Sequence, residues 1–234
     1  MTNVPDKQLP RGAGTAGEVP IVPAASVIAV RDSPFEVLMI RRHIKSSFVP
    51  DTWVFPGGAV DREDAALGDG SELATMRIAA ARELFEETGI WLGGRSSEEA
   101  RRDLLEGRVS FSALLAKTSI DFKRLVWTSR WITPAGVPKR FDTYFFLAEV
   151  GRDAVATPEN REATETAWIS PADAIRRETE GTFPMVFPTI KNLEAIAGFD
   201  DVASLLASRR GVEIPTTRPI LELSGGLKRI VLPE

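Results

Sequence analysis

The sequence predicts an α+β fold, and three observations carry that expectation. Short β-rich runs recur along the chain and are separated by turn residues. One long stretch has helical periodicity with a capping residue at each end. Two further β-rich runs close the chain around Ser224-Gly225-Gly226, the signal of a hairpin. No internal repeat and no linker interrupts the middle, so residues 20–234 are expected to form a single domain with C-terminal helices and hairpin.

Taken in order, residues 1–19 are rich in Gly, Pro and polar residues and are expected to form a flexible N-terminal arm. Ala25–Val30 and Phe35–Ile40 read as a strand pair around the turn Arg31-Asp32-Ser33-Pro34, and Trp53-Val54-Phe55 as a short strand that stops at Pro56-Gly57-Gly58. A helix is expected from Ser71, an N-cap, to Thr88, with Gly89 just past its end. Leu73, Arg77 (through its stem), Ala80 and Leu84 give it a core stripe. Residues 98–117 predict one or two short helices, and strands return at Leu125–Thr133, Phe141–Val150 and Thr164–Ile169. Helices then follow at Pro171–Glu180, Pro188–Ala197 and Asp200–Ser208.

Composition narrows the chemistry. With 43% hydrophobic and 26% charged residues the chain builds a packed core. A net charge of −4 argues against a nucleic-acid partner, and no apolar run reaches the roughly 20 residues of a membrane span. The termini carry no evident targeting signal, so a cytoplasmic location is expected. The absence of cysteine excludes thiol nucleophiles and thiolate metal sites, and His43, the single histidine, excludes multi-histidine sites. Carboxylates, lysines, hydroxyls or a hard metal ion must carry any catalysis.

The sharpest local feature is Arg82-Glu83-Leu84-Phe85-Glu86-Glu87-Thr88-Gly89-Ile90. At about 100° per residue, Glu83, Glu86 and Glu87 share one helix face. Like charges at that spacing destabilise a helix unless something compensates, and a hard divalent cation does so with oxygen ligands. The bland reading is an acidic, solvated face. Against it stands Phe55-Pro56-Gly57-Gly58-Ala59-Val60-Asp61, where a strand ending in Pro-Gly-Gly lets another group come close.

Together the two stretches resemble the Nudix box, Gly-x5-Glu-x7-Arg-Glu-apolar-x-Glu-Glu-x-Gly-apolar. The second half matches at every fixed position from Arg82 to Ile90. The first half does not keep register: five residues after Gly58 lead to Asp64, and residues 65–81 then fill a space that spans seven positions in the family. The box carries an insertion around residues 65–73, the family's first glutamate falls on Ala74 when counted back from Arg82, and Asp64, Glu63 or Glu72 stands in for it. Residues 65–70 are expected to be a loop beside the site.

The resemblance implies a Nudix fold, an α/β/α sandwich around a mixed β-sheet. It also implies a hydrolase cutting a diphosphate linkage with Mg²⁺ or Mn²⁺, held by Glu83, Glu86, Glu87 and the carbonyl of Gly57. The split box, with Arg140–Ala148, Trp131–Pro134 and Thr166–Pro171, resembles the coenzyme A diphosphatase-like branch and implies coenzyme A or an acyl-CoA as substrate. ADP-ribose and dinucleotides are the alternatives, and a homodimer is one assembly the family uses.

For roles, Glu162 is the candidate proton acceptor, with Glu165 next and Glu86 also open, and Arg82 is a catalytic candidate placed to hold Glu86. Arg42, Arg140 and Phe48 are the candidate substrate contacts, with Arg41, Lys45 and Trp53 in reserve; His43 is assigned no role. A catalytically silent nucleotide-sensing module is the competing class. An isomerase of the isopentenyl diphosphate type is disfavoured, because that chemistry uses a cysteine in the family pattern.

Overall fold

A computed structural model describes residues 19–94, 97–224 and 227–233. The expected arm lies almost wholly outside the described residues, as do Gly225 and Gly226 of the expected hairpin turn. Ten strands are described: β1 (Ile21–Arg31), β2 (Glu36–Arg42), β3 (Trp53–Val54), β4 (Gly57–Ala59), β5 (Val126–Ile132), β6 (Arg140–Glu149), β7 (Ala163–Ile169), β8 (Thr216–Thr217), β9 (Ile220–Ser224) and β10 (Leu227–Val231). Among them run helices α1 (Arg62–Leu67), α2 (Glu72–Thr88), α3 (Glu98–Leu105), α4 (Phe111–Lys117), α5 (Pro171–Thr179), α6 (Phe187–Ile196) and α7 (Val202–Arg209).

The main sheet runs β3-β2-β1-β6-β5-β8, with β4 paired to β1 and β7 to β2. It is mixed, as expected: β1 lies parallel to β6 from Ile21↔Arg140 to Val30↔Glu149 and β5 parallel to β8, while β2, β4 and β7 pair antiparallel to their neighbours and β5 pairs antiparallel to β6. β1 is hydrophobic without alternation because both of its faces are buried. Ile28 and Val30 join Phe145, Leu147, Leu193 and Leu205 on one side of the sheet. Val27 and Ala29 join Phe146, Ala80, Leu84 and Phe85 on the other. Helices therefore cover both faces, and the α/β/α layering follows from this period-two division of one apolar strand.

The other edge of β1 positions the site. Its residues Ala24–Ser26 pair with β4, and Val30 and Arg31 pair with β2. Between them Val27 donates its N–H to Pro56 O at 2.8 Å. The Pro-Gly-Gly segment thus does not end the strand system: Gly57 and Gly58 start β4. A Cβ on Gly57 would sit 2.4 Å from the carbonyl oxygen of Ala25 and 2.6 Å from the Cα of Ser26, both backbone atoms. Only glycine lets β4 lie this close to β1.

α2 has the expected ends. Ser71 Oγ accepts from the N–H of Ala74, and Gly89, left-handed at φ 76°, donates its N–H to Phe85 O at 2.8 Å. The insertion differs from the expectation in part: Ala65–Leu67 complete α1, and only residues 68–70 form the loop before Ser71. The helix extends because Asp64 is anchored by its side chain and Leu67 packs against the α2-side core. Gly70, at φ 86°, breaks the path, so α1 and α2 are separate helices. The C-terminal strands β9 and β10 pair from Ile220↔Val231 to Ser224↔Leu227. The two-residue strand β8, paired with Arg130 and Trp131 of β5, was not legible in the sequence.

These constraints predict different costs for two glycine-to-alanine changes. Gly57→Ala should destabilise the fold by about 1–3 kcal/mol, as overpacking against fixed backbone does. Gly68→Ala, whose Cβ would meet Ala74 at an ordinary 3.4 Å, should stay within about 0.5 kcal/mol. Urea unfolding of the two variants makes the comparison, and equal costs would contradict the packing described for β4.

Candidate active site

The site is built around one guanidinium. Arg82, on the fourth turn of α2, is 5% exposed. Its Nε and Nη2 donate to the two carboxylate oxygens of Asp64 at 3.0 and 2.9 Å. Nη2 also donates to Ala59 O at 2.9 Å, and Nη1 donates to Glu83 Oε1 at 2.8 Å and Glu86 Oε2 at 3.1 Å. One side chain thus ties together β4, α1 and α2. Burial alone would lower its pKa, but the hydrogen bonds to Asp64 and the charges of Glu83 and Glu86 outweigh that and raise it.

Of the three candidates for the first glutamate, Asp64 is the one that meets Arg82. It is fully buried, forms a two-pronged pair with Arg82, and accepts the N–H of Asp61 at 2.8 Å. Glu63 instead accepts from Ser112 Oγ at 2.6 Å, and Glu72 lies beside Arg130 at 3.7 Å. Counting five residues from Gly58 was the signal that found Asp64; counting back from Arg82 was misled by the inserted loop.

The three glutamates are placed differently. Glu87, 4% exposed, accepts the N–H of Gly57 at 2.7 Å. Glu83 and Glu86 turn one oxygen each toward Arg82. A Cβ on Gly58 would come within 2.6 Å of the Glu83 carboxyl, so this glycine makes room for that group. Burial pushes Glu83 up to about 7, partly offset by Arg82 and reinforced by Glu86 and Glu162. Burial also raises Glu86 against the pull of Arg82. Glu87 is held well above the usual carboxylate range by burial and by the charge of Glu83, with the Gly57 N–H and Arg42 acting in the opposite sense. The carboxyl groups of Asp64, Glu83, Glu86 and Glu87 thus gather around a single guanidinium, and burial favours the protonated form of the three glutamates.

This all-oxygen donor set fits a hard divalent cation, whose charge would favour the deprotonated carboxylates. Among the described residues no three acidic side chains converge into a ready-made cage, because Glu83 and Glu86 face Arg82 and Glu87 faces Gly57. Gly57 meets the cluster through its N–H.

Beside the acidic cluster lies a cavity of about 460 Å³. Glu83, Asp61, Glu162 and Arg42 are its charged lining, Ser26, Thr133, Thr143 and Thr189 add hydroxyls, and Phe48, Trp131, Phe141, Phe145 and Phe187 supply aromatic walls. Phe48 and Phe141 meet edge to face at 5.1 Å. Arg42 is pinned by Ser46 Oγ at 2.8 Å and the carbonyl of Phe48 at 3.2 Å. Glu162 lies close enough for its charge to raise both Glu83 and Glu87, and its backbone N–H is capped by Glu159 Oε1.

Other candidates sit elsewhere. Arg140 donates to Thr133 O at 3.1 Å and is not among the residues lining the cavity. Arg41 is divided between Asp51 and Glu165, at 2.8 and 2.7 Å, which also engages Glu165. Lys45 is exposed and outside the cavity. Trp53 stacks on Phe183 at 4.3 Å within the core and offers no platform to a base. Trp131 and Phe141 lie in stretches that stood out in the sequence, but nothing there marked them as cavity walls.

Residues 20–187 match the NUDIX domain model. The chain is 32% identical over 187 residues to a Caenorhabditis elegans protein carrying the name nudix hydrolase 7, covering 76% of this chain and 61% of that one. It is 27% identical to the acyl-coenzyme A diphosphatases of Xenopus laevis and Gallus gallus, covering 61% and 76% of this chain and 54% and 66% of theirs. The chain thus spans between 54 and 66% of the length of these curated relatives. The crystal structure of a NUDIX hydrolase from Alicyclobacillus acidocaldarius superposes with a TM-score of 0.73 at 28% identity, covering 81% of this chain and 96% of that chain.

The knot at Arg82 yields a stability test. Asp64→Ala leaves a buried guanidinium short of its principal partner and should cost about 3–5 kcal/mol. Glu63→Ala should stay within about 0.5 kcal/mol, since its partner is an exposed serine. Denaturant midpoints of the two variants decide between them, and a larger loss for Glu63→Ala would reverse the assignment.

Proposed function

This chain belongs to the Nudix family, and we propose that it hydrolyses the diphosphate linkage of a nucleoside-diphosphate-like substrate, with coenzyme A or an acyl-CoA as the substrate class. The observation that carries the reading is that a buried acidic cluster borders a cavity with aromatic and aliphatic residues in its walls. A diphosphate belongs beside such a cluster and a nucleoside or an apolar arm against such walls. The names of the amphibian and avian relatives point to the same substrate.

In this reading Glu83, Glu86 and Glu87, with the backbone at Gly57, hold Mg²⁺ or Mn²⁺. When bound, the cation supplies positive charge against the phosphate oxygens as the linkage breaks. Arg82 is a positioning residue: its donors are engaged by Asp64, Glu83, Glu86 and Ala59, so it fixes the acidic face and leaves the substrate to others. Arg42, held at the cavity edge, faces the phosphates, and Phe48 with Phe141 gives a nucleobase a flat and an edge contact. Glu162, in the cavity's charged lining and free of a buried ion pair among the described residues, takes the proton from the attacking water. Arg140 is kept as a phosphate contact only through a change of its bond to Thr133.

The silent-sensor reading drew its support from the displaced first glutamate, and the Arg82–Asp64 pair removes that support. ADP-ribose and dinucleotides are the alternative substrates, since Arg42 and the aromatic pair would serve them too. The same proposal takes residues 20–234 as one Nudix domain acting on a small nucleotide in the cytoplasm, without a nucleic-acid partner, as a monomer or homodimer. Among the described residues no helix is long and apolar enough to cross a membrane.

The test is turnover of coenzyme A, acyl-CoA, ADP-ribose and dinucleotides with Mg²⁺ and with Mn²⁺. Coenzyme A should yield 3′,5′-ADP and 4′-phosphopantetheine. Glu83→Gln and Glu87→Gln should each lower kcat by at least about two orders of magnitude with the fold retained. Near-normal turnover in either variant would remove the acidic cluster from the reaction. An ADP-ribose kcat/KM about a hundredfold above that of coenzyme A would overturn the substrate while leaving the chemistry.

A further inference from the structure

The last carbonyls of a helix have no partner within it, and those at the end of α2 are taken up largely by residues from elsewhere in the chain. Glu86 O accepts from Arg101 Nε at 3.0 Å and from Nη2 at 2.9 Å, and Thr88 O accepts the N–H of Thr157 at 2.9 Å. Arg101 lies on α3 and is 4% exposed. Its other donor hydrogens run to the same threonine: Nη1 donates to Thr157 Oγ1 and Nη2 to Thr157 O, both at 2.9 Å. Thr157 Oγ1 in turn donates to Glu98 Oε1 at 3.2 Å. Gly89 leaves room for this arrangement, since a Cβ there would meet Glu98 Oε1 at 3.0 Å and Arg101 Nη1 at 3.4 Å.

Thr157 opens the turn that carries Glu162. Glu159 Oε1 accepts the N–H groups of Arg161, Glu162 and Ala163, and Glu162 O accepts the N–H of His43 at 2.7 Å. The turn is therefore fastened at one end to α2, through Arg101 and Thr88, and at the other to the residue that follows β2. Between these two anchors the Glu162 side chain reaches the cavity that Glu83 also lines. A cation at a helix C-terminus has an ordinary role as a cap, and a lysine would serve for that. The planar guanidinium does more here, because one rigid fork binds Glu86 O together with two oxygens of Thr157 and so fixes the turn against the helix.

We infer that Arg101 is a positioning residue for the hydrolysis proposed above: by joining Glu86 O to Thr157 it sets where Glu162 stands relative to the carboxylates of α2. Arg101 is not among the residues lining the cavity, so it acts through Glu162 rather than on the substrate. The inference rests on the reading of Glu162 as the proton acceptor. A misplacement of about 1 Å at a reacting group lowers a rate by on the order of a hundredfold, so an anchor far from the chemistry has a measurable effect on it.

The experiment is a double-mutant cycle on the full chain, with Mg²⁺ and whichever compound of the panel above is cleaved fastest. Arg101→Lys should lower kcat at least about tenfold with KM little changed. Added to Glu162→Gln, the same change should alter kcat by less than about twofold, because residues that act as one unit are non-additive. If Arg101→Lys does not fold, Thr157→Val, which removes one acceptor of the guanidinium, takes its place in the cycle. Hydrogen exchange needs no turnover: in the variant the N–H groups of Thr157, Arg161, Glu162 and Ala163 should exchange at least about tenfold faster, while that of Val27 in the sheet keeps its wild-type rate. An unchanged kcat, an equal loss in both backgrounds, or unmoved exchange at the turn overturns the inference alone, since diphosphate cleavage by the wild type then still stands. A wild-type chain that cleaves none of the panel sinks the hydrolase reading and the positioning role with it, and faster exchange would then mark Arg101 as an anchor of the fold only.

Discussion

The contact network of Arg82 is the constraint on which the rest of the site depends. A buried guanidinium is tolerable only when its donors are matched by fixed acceptors, and here the acceptors come from three separate elements. Asp64 brings α1 to α2, Ala59 brings β4, and Glu83 and Glu86 are aligned on the helix itself. Such a pair contributes little net stability over a hydrophobic substitute, because desolvation offsets most of the attraction. What it contributes is geometry: one face of α2 is held against the start of β4 at Gly57 and Gly58 to within a hydrogen bond.

The backbone then does what no side chain does. Gly57 fits between β1 and α2 only because it has no Cβ, and its N–H reaches the carboxylate of Glu87. Gly58 leaves the space that the Glu83 carboxyl occupies. Packing the sheet and building the acidic cluster are therefore one event. The cluster's raised pKa values have the same origin, since the close fit that excludes a methyl group also excludes water.

How much of this was legible in the sequence follows from how local each feature is. α2, its caps and the shared face of Glu83, Glu86 and Glu87 depend on neighbours three and four residues apart, and the sequence states them directly. The partner of Arg82 lies eighteen positions away across an insertion, and although the count from Gly58 reaches Asp64, only the packing of α1 on α2 separates it from Glu63 and Glu72. The loop was expected over six residues and spans three, because Leu67 has a core to pack against. The cavity is the least local feature. Its walls come from β4, β5, β6, the start of α6 and β10, and no spacing rule joins Phe48 to Phe141 or Trp131 to Phe187. Arg41 and Arg42 are adjacent cations in the sequence, yet one is consumed by Asp51 and Glu165 while the other reaches the cavity, a difference set by strand alternation.

The central claim is that the carboxylates of the Arg82-centred cluster hold a divalent cation. Thermal unfolding of the full chain across a Mn²⁺ titration, without substrate, measures this most directly, because a ligand that binds the folded state raises Tm in proportion to its affinity. The account predicts a saturable rise in Tm for the wild-type chain and its loss in the Glu83→Gln, Glu87→Gln double variant. No rise in the wild type, or an equal rise in the double variant, would contradict it.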